Sequence, residues 1–283
     1  MIEVLQAGFQ SSLQDAGRFG YRSYGVPWSG PMDNYNAGFA RELVRNDPNA
    51  TLIEFYQRGP ELLFAKEAIV AVTGLYFGLK INGESKELYK AYRVKSGERL
   101  EIITKAASNF GYIAIAGGFK TELVLGSASY YPGITERSRL EKGQQLQFHE
   151  QDLPQIPALS RLRSLETVFD TSEIPVLLGP EYDRLSEDQQ KLLWSTSHKL
   201  GRNISRMGYR FKPVPNLNLS GILTGPVQAG TVQLTPGGEL IVLMRDAQTT
   251  GGYARILQLL PEAISILSQQ LPGTRMKFVK SEP

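Results

Sequence analysis

The chain has 283 residues, of which 41% are hydrophobic and 21% charged, and its formal net charge is +3 at pH 7. This is the composition of an ordinary globular protein, and a small net charge without long runs of one sign argues against nucleic acid or a membrane surface as partner. The absence of cysteine excludes disulfides, a thiol nucleophile and thiolate metal sites. With no signal peptide and no apolar run of about 20 residues, we expect a soluble, cytoplasmic protein with two domains.

The chain opens with a weakly alternating strand over 2–7 and then enters a loop over 14–33, QDAGRFGYRSYGVPWSGPMD. Its four glycines and two prolines are incompatible with a regular helix or a central strand. Its large aromatic residues are unlike the composition of a flexible linker. We interpret it as an ordered loop that carries function. The alternative is a structural loop whose aromatic side chains cap the end of a barrel.

A helix is predicted directly after this loop. Asp33 is suited to cap it, and Tyr35, Phe39 and Leu43 recur every four residues along one face. Arg41 and Arg45 fall in the last turn, where cations interact favourably with the helix dipole.

Short strands separated by turn residues then continue as far as residue 149, which is typical of an antiparallel barrel or sandwich. Residues 150–172 break this pattern and are interpreted as a connection. The second half repeats the β character and adds two short helices, over 186–194 and 261–270. We therefore predict two β domains, over 1–150 and 173–283.

Three further segments could carry chemistry. The basic segment 198–212 contains Arg206 and Arg210, whose guanidinium groups suit a carboxylate or phosphate; the alternative is a solvated basic face. The segment 245–253, RDAQTTGGY, follows an apolar strand and offers carboxylate, hydroxyl and backbone N–H groups that could form an oxyanion hole. The third segment, AGGFKTELVLGS, is weaker and could be two ordinary turns. The two histidines lack metal-site spacing, so we expect no metal.

These segments occur in the same order in a known family. From residue 4 to 278 the chain resembles the family of allophanate hydrolase subunit 2, also called biotin-dependent carboxyltransferase or the 5-oxoprolinase C subunit, through QDAGR–GY–GVPWSGPMD, AGGF…LGS, SRMGYR and RDAQTTGGY. The resemblance implies a mainly β chain of two tandem cyclophilin-like β-barrel domains with a few short helices, and a site between them built from the motif loops. The chain departs from the family pattern at Tyr130 and Tyr131, which puts the edge of the pocket, and so the substrate, in question.

The leading hypothesis is the C subunit of an ATP-dependent 5-oxoprolinase, which opens 5-oxoproline, a cyclic amide, to L-glutamate with the A and B subunits. The B subunit is the kinase-inhibitor-like partner, and the ATP site is left open between this chain and a partner. The first alternative is a carboxyltransferase acting on urea or a similar small amide, with biotin on a separate carrier. The second is a non-enzymatic antagonist that binds a histidine-kinase inhibitor.

Three aspartates, Asp15, Asp33 and Asp246, are the predicted catalytic residues and would manage protons. Arg206 and Arg210 would hold an anion, and Gly251 and Gly252 would polarise a carbonyl. The predicted substrate-binding set is Arg18, Tyr21, Gly117, Gly118, Ser127, Arg206, Tyr209, Arg210, Thr249, Thr250, Gly251 and Gly252.

Overall fold

The structure, a computed structural model, describes residues 1–105, 109–150 and 166–281. The chain packs as two compact units, Met1–Phe19 with Ser29–Thr167 and Gly20–Trp28 with Val168–Pro283. The predicted domain limits, 1–150 and 173–283, stay a prediction. Most of the predicted connection, residues 151–165, lies outside the described residues. The loop over 14–33 contributes residues to both units.

The first unit consists of two antiparallel sheets on one core. The orders are β11-β12-β1-β4-β9-β6-β7 and β2-β3-β10-β5-β8. Buried side chains of both sheets, including Ile2, Phe64, Phe55 and Ile113, form a single apolar cluster. The elements are β1 (Ile2–Gln6), β2 (Gln10–Gln14), α1 (Asn34–Leu43), β3 (Leu52–Tyr56), β4 (Glu61–Phe64), β5 (Ala68–Gly74), β6 (Phe77–Ile81), β7 (Glu84–Lys86), β8 (Ala91–Val94), β9 (Arg99–Thr104), β10 (Phe110–Ile115), β11 (Phe119–Lys120) and β12 (Gln145–Phe148).

Helix α1 covers the outer face of the five-stranded sheet. Its contacts with β5 and β10 explain why every residue of these two strands is buried. Asp33 caps the helix as predicted, since its side chain accepts hydrogen bonds from the backbone of Tyr35 and Asn36. The sequence predicted the helix but not its buried face. The face that packs on the sheet carries Ala37 and Ala40, whereas Tyr35 is 38% exposed.

A short helix, α2 (Glu166–Phe169), lies at the division between the two units in the sequence. The second unit is a closed barrel in the order β13-β20-β17-β18-β15-β14-β21, with a separate pair β16-β19. Its strands are antiparallel except for the parallel pair β13 and β21, and closure leaves this sheet without a free edge. The elements are β13 (Glu173–Leu178), α3 (Glu187–Ser195), β14 (His198–Ile204), β15 (Gly208–Phe211), β16 (Gly225–Pro226), β17 (Thr231–Leu234), β18 (Leu240–Leu243), β19 (Thr250–Gly251), β20 (Ala254–Leu259), α4 (Pro261–Ser268) and β21 (Arg275–Lys280).

The predicted class, mainly β with barrel domains and few short helices, is confirmed. Helices α3 and α4 begin as expected, with Ser186 in a capping box and Pro261 in the first turn. Sequence patterns did not predict several short strands, among them β2, β8 and β14, the last of which lies inside the basic segment 198–212. Within the described ranges, no helix combines the length and the apolar composition needed to cross a bilayer.

Candidate functional site

Asp15 fastens the start of the long loop to a distant segment of the first unit. Its Oδ1 accepts hydrogen bonds from Ser127 Oγ at 2.6 Å, Ser129 Oγ at 2.7 Å and the Gly17 N–H at 2.9 Å. Its Oδ2 accepts one from the Ala128 N–H at 2.7 Å. The carboxylate is only 8% exposed and is surrounded by donors. These contacts position two loops that are more than a hundred residues apart in the chain.

Arg18 reinforces the same junction. The side chain is fully buried, and it donates from Nε to the Val124 carbonyl at 2.9 Å and from Nη2 to the Ser129 carbonyl at 2.8 Å. The structure thus brings three predicted site residues, Asp15, Arg18 and Ser127, into one cluster. Each side chain is held by contacts within the first unit.

Asp33 lies in a second buried network of the first unit. Its backbone N–H donates to the Tyr112 hydroxyl at 2.8 Å, and this hydroxyl donates to Glu54 Oε2 at 2.9 Å. Antiparallel pairing of β3 and β10 places Glu54 directly opposite Tyr112. Burial, with the negative charges of Glu54 and Asp33, raises the pKa of Tyr112 well above its usual value. The carboxylate of Asp33 is fully buried; its Oδ1 caps the helix, and its Oδ2 accepts a hydrogen bond from Asn36 Nδ2 at 2.6 Å.

The glycine pair after β10 forms a turn. Gly117 has a φ of +87°, and a side chain there would meet the His149 carbonyl oxygen at 2.2 Å from its Cβ. Its N–H donates to Asn46 Oδ1, whereas that of Gly118 donates to the Ile115 carbonyl. Close backbone approach accounts for glycine at 117. The role of both glycines in substrate binding stays a prediction.

Tyr130, one of the two residues that depart from the family pattern, belongs to the core of the first unit. It is 7% exposed, and its backbone N–H donates to the Leu13 carbonyl. The neighbouring Tyr131 is half-buried, and its N–H donates to Thr135 Oγ1 at 2.9 Å. The packing of Tyr130 is therefore that of a core residue.

In the second unit, Arg206 and Asp246 form a two-pronged ion pair. The Arg206 Nε–Asp246 Oδ2 distance is 2.6 Å, and the Nη2–Oδ1 distance is 3.0 Å. The two side chains are only 12% and 8% exposed. The Asp246 N–H also donates to the Arg206 carbonyl at 2.8 Å. Planar bidentate geometry and burial make this pair strong and directional.

The two arginines of the predicted anion subsite each meet a carboxylate of the chain itself. Arg210 lies in β15 and forms an ion pair with Glu239 at 2.5 Å, partly exposed to solvent. Tyr209, between them, is buried and donates its hydroxyl hydrogen to the Ser268 carbonyl at 3.0 Å. The contacts described for Arg206 and Arg210 lead to two separate carboxylates. A joint anion-binding role for the two arginines stays a prediction.

The segment after Asp246 carries the predicted carbonyl-polarising glycines. Thr250 and Gly251 form β19, where Gly251 is paired with Gly225 of β16. A Cβ at Gly251 would lie 2.5 Å from Gln233 Nε2, so close packing accounts for the glycine. Thr250 and Gly252 are exposed, and the Thr249 carbonyl accepts from the Val227 N–H. The backbone of residues 250–252 is therefore accessible, and pairing with β16 holds it in place.

A pocket of about 340 Å³ opens near the ends of these strands in the second unit, and Arg22, Val227 and Arg255 are among its lining residues. Arg22 lies over the Trp28 ring at 4.8 Å and donates to the Val227 carbonyl. Burial lowers the pKa of Arg22. Arg255 is held by a bidentate ion pair with Glu181. Sequence reasoning missed these arginines.

The predicted residue Tyr21 stands just before the short 3-10 helix Arg22–Tyr24. Its carbonyl oxygen accepts from the backbone N–H groups of Tyr24 and Val26. The described contacts of Tyr21 thus shape the loop within the second unit.

Another residue that sequence reasoning missed is Arg41, which lines a pocket of the first unit although it was assigned to the helix dipole. The sequence does contain a pattern that locates the packing face of α1. Ala37, Ala40 and Val44 lie three or four residues apart, and such a stripe of small apolar residues marks a packing face. Arg41 borders that face.

The two units thus define a protein built on a two-sheet unit and a closed β-barrel, with polar, glycine-bearing loops at the strand ends. The family model for the carboxyltransferase domain, subdomain A and B, matches residues 24–280, and the chain belongs to this family. The resemblance carried by the four motifs is confirmed.

Several known proteins are similar to the chain. It is 30% identical to the 5-oxoprolinase C subunit of Haemophilus influenzae, over 98% of this chain and 90% of that protein. It is 29% identical to urea amidolyase of Lachancea kluyveri, over 98% of this chain but 17% of that protein. The solved structure of TTHA0988 superposes with a TM-score of 0.87 at 27% identity, and the chain spans 55% of it.

Proposed function

We propose that the chain is the C subunit of an ATP-dependent 5-oxoprolinase, which opens 5-oxoproline to L-glutamate together with the A and B subunits. The observation that carries the proposal is similarity over nearly the full length of both chains to the 5-oxoprolinase C subunit of H. influenzae. A protein that matches a separate subunit from end to end is a better candidate for that role than for one part of a much larger fused enzyme.

The chemistry of a cyclic amide suits the segment that follows Asp246. During ring opening the carbonyl oxygen of the lactam gains negative charge, and fixed N–H donors stabilise such charge. In our proposal Gly251 and Gly252 supply these donors. Arg206 and Asp246 act as positioning residues, because their buried ion pair holds the start of the segment.

ATP would be used by the assembled complex, and we propose that a partner protein binds it. Helix N-termini are common phosphate sites, but two of the three longer helices here have a side-chain cap. The N-terminus of α1 is capped by the Asp33 carboxylate and that of α3 by the Ser186 hydroxyl. Helix α4 begins with Pro261, which has no N–H to donate. The N-termini of α1 and α3 are therefore occupied, and that of α4 offers one donor fewer to a triphosphate.

A second candidate function is carboxyl transfer to urea or another small amide, with biotin delivered by a separate carrier. The description of the matching family and the similarity to urea amidolyase favour it. The ureido ring of biotin and the lactam of 5-oxoproline are both planar cyclic amides, so one set of N–H donors would suit either.

Two assays on the same purified proteins separate these functions. The chain is co-purified with candidate A and B subunits and incubated with ATP and 5-oxoproline, and glutamate is measured. In parallel, the chain is incubated with a carboxylated biotin carrier domain and urea. Glutamate release without loss of carboxybiotin supports the proposed function. Carboxybiotin turnover without glutamate supports the second candidate.

A further inference from the structure

A groove of about 790 Å³ runs along the outer side of α1 in the first unit. Its volume falls in the range of small-molecule sites, which are about 300–1,000 Å³ and mostly apolar with a few polar groups. Apolar walls come from Pro31, Tyr35, Phe39 and Pro48. None of the roles predicted for the motif loops uses this groove.

Arg41 is a buried cation at this groove. It is 6% exposed, and its described hydrogen bonds go to two backbone carbonyls, from Nε to Ala50 at 2.8 Å and from Nη2 to Gln14 at 3.4 Å. A guanidinium has five N–H donors, so most of its capacity lies outside these bonds. No carboxylate of the described residues lies within ion-pair distance of Arg41.

The carboxylates that act on Arg41 from further away have other partners. Asp15 is bound to the Ser127 and Ser129 hydroxyls, Glu54 accepts hydrogen bonds from Tyr112 and the Met32 N–H, and Asp47 accepts one from the Asn49 N–H. Burial lowers the pKa of Arg41 to about 10, although these carboxylates act in the opposite direction. Arg41 therefore stays charged at neutral pH. A buried charge without an ion partner is costly, and an anion in the groove would offset that cost.

The charges that line the groove are two arginines, Arg41 and Arg45, and one glutamate, Glu42. The lining therefore carries a net positive charge, which favours an anionic ligand. The lining also includes Asn34, Asn46 and Asn49, of which Asn46 already bonds through its amide to the Ile115 carbonyl and the Gly117 N–H.

Gly38 is an exposed residue of α1. It lies in the interior of α1 and lines the groove, and a Cβ built there would have no atom within 4 Å. Glycine inside a helix is less stable than alanine by about 0.5–1 kcal/mol, and here no neighbouring atom requires it. With no side chain at 38, the groove stays open beside Tyr35 and Phe39.

We propose that this groove binds a small carboxylate with a flat or apolar body, which pairs with Arg41 and packs on Tyr35 and Phe39. The inference is independent of the function proposed above, because it rests only on residues of the first unit that the motif roles do not use. It assigns a ligand class, a small organic monoanion, to a site outside the predicted set.

The test uses the full-length chain and benzoate as the probe, with neutral benzamide as its matched control. Isothermal titration calorimetry or ligand-observed NMR gives the dissociation constants. We expect saturable binding of benzoate and at least tenfold weaker binding of benzamide, because only benzoate can pair with the guanidinium. Equal affinity for both probes, or no saturable benzoate binding, would overturn the proposal.

Two variants locate the site. Gly38→Leu adds a side chain at an exposed position whose Cβ has no atom within 4 Å, and we expect it to fold with an unchanged or higher melting temperature but to lose benzoate affinity at least tenfold. Arg41→Gln should lose it as well. Gly38→Ala is the folding control and should melt higher than the wild type. Wild-type benzoate affinity in a folded Gly38→Leu variant would refute the assignment.

Discussion

Replacing Asp15 separates a positioning role of its carboxylate from a role in proton transfer. The carboxylate accepts four hydrogen bonds, from the Ser127 and Ser129 hydroxyls and the Gly17 and Ala128 N–H groups. In Asp15→Asn one oxygen becomes an NH₂ group. The serine hydroxyls can rotate to accept from it, but a backbone N–H cannot.

The magnitudes follow from these bonds. A buried donor left without an acceptor costs about 1–3 kcal/mol, which is the loss expected for Asp15→Asn. At about 2–4 °C per kcal/mol for a unit of the size of the first unit, its melting temperature should fall by about 2–12 °C. Asp15→Ala removes the acceptor for all four donors. Since neighbouring effects are not additive, we expect a loss of at least about 3 kcal/mol.

Differential scanning calorimetry measures the stability, and hydrogen exchange with mass spectrometry locates the loss. Faster exchange should appear in peptides that cover residues 14–18 and 124–129. Both tryptophans, Trp28 and Trp194, belong to the second unit, so tryptophan fluorescence reports on that unit and serves as the internal control. If Asp15→Ala melts and exchanges like the wild type but abolishes turnover by the assembled complex, Asp15 acts in proton transfer and the reasoning is refuted.

Two further predictions concern buried ionisable groups of the second unit. Arg206→Ala should lower the free energy of unfolding by about 3–5 kcal/mol, because it leaves Asp246 buried without its partner. In urea titrations the double variant Arg206→Met with Asp246→Leu should be more stable than either Arg206→Ala or Asp246→Ala. A loss of stability in the double variant equal to the sum of the two single losses would contradict this. His198 is 1% exposed, and burial lowers its pKa below the ordinary 6.5. The unfolded state then binds more protons, so stability that is present above about pH 6.5 should fall as the pH drops below that value, and His198→Phe should flatten this dependence.

Helix α1 shows what sequence patterns specify and where they fail. The position of Asp33 before a helical stretch predicts the cap, because capping depends only on neighbouring residues. The buried face depends on what the helix packs against. The fully buried strands β5 and β10 receive the small residues Ala37 and Ala40, while the larger Tyr35 and Phe39 line the groove.

In the candidate site, too, sequence patterns identified residues but not the contacts between them. The motifs identified Asp15 and Ser127, and Arg206 and Asp246, but not that each pair is in contact. The first contact joins two loops that are distant in the chain, and the second depends on strand register; local patterns specify neither. For the second pair, β15 and β18 align Gly208 with Leu243, and the pairing continues to the bond between the Asp246 N–H and the Arg206 carbonyl.

The most direct test of the proposed function is an omission experiment on the reconstituted complex. The A and B subunits are supplied with ATP and 5-oxoproline, and the rates of glutamate formation and ATP hydrolysis are measured with and without this chain. We predict that adding the chain raises glutamate formation at least about 100-fold, the scale of a lost fixed donor set in catalysis. If the A and B subunits release glutamate at the same rate without it, the chain is not a component of a 5-oxoprolinase.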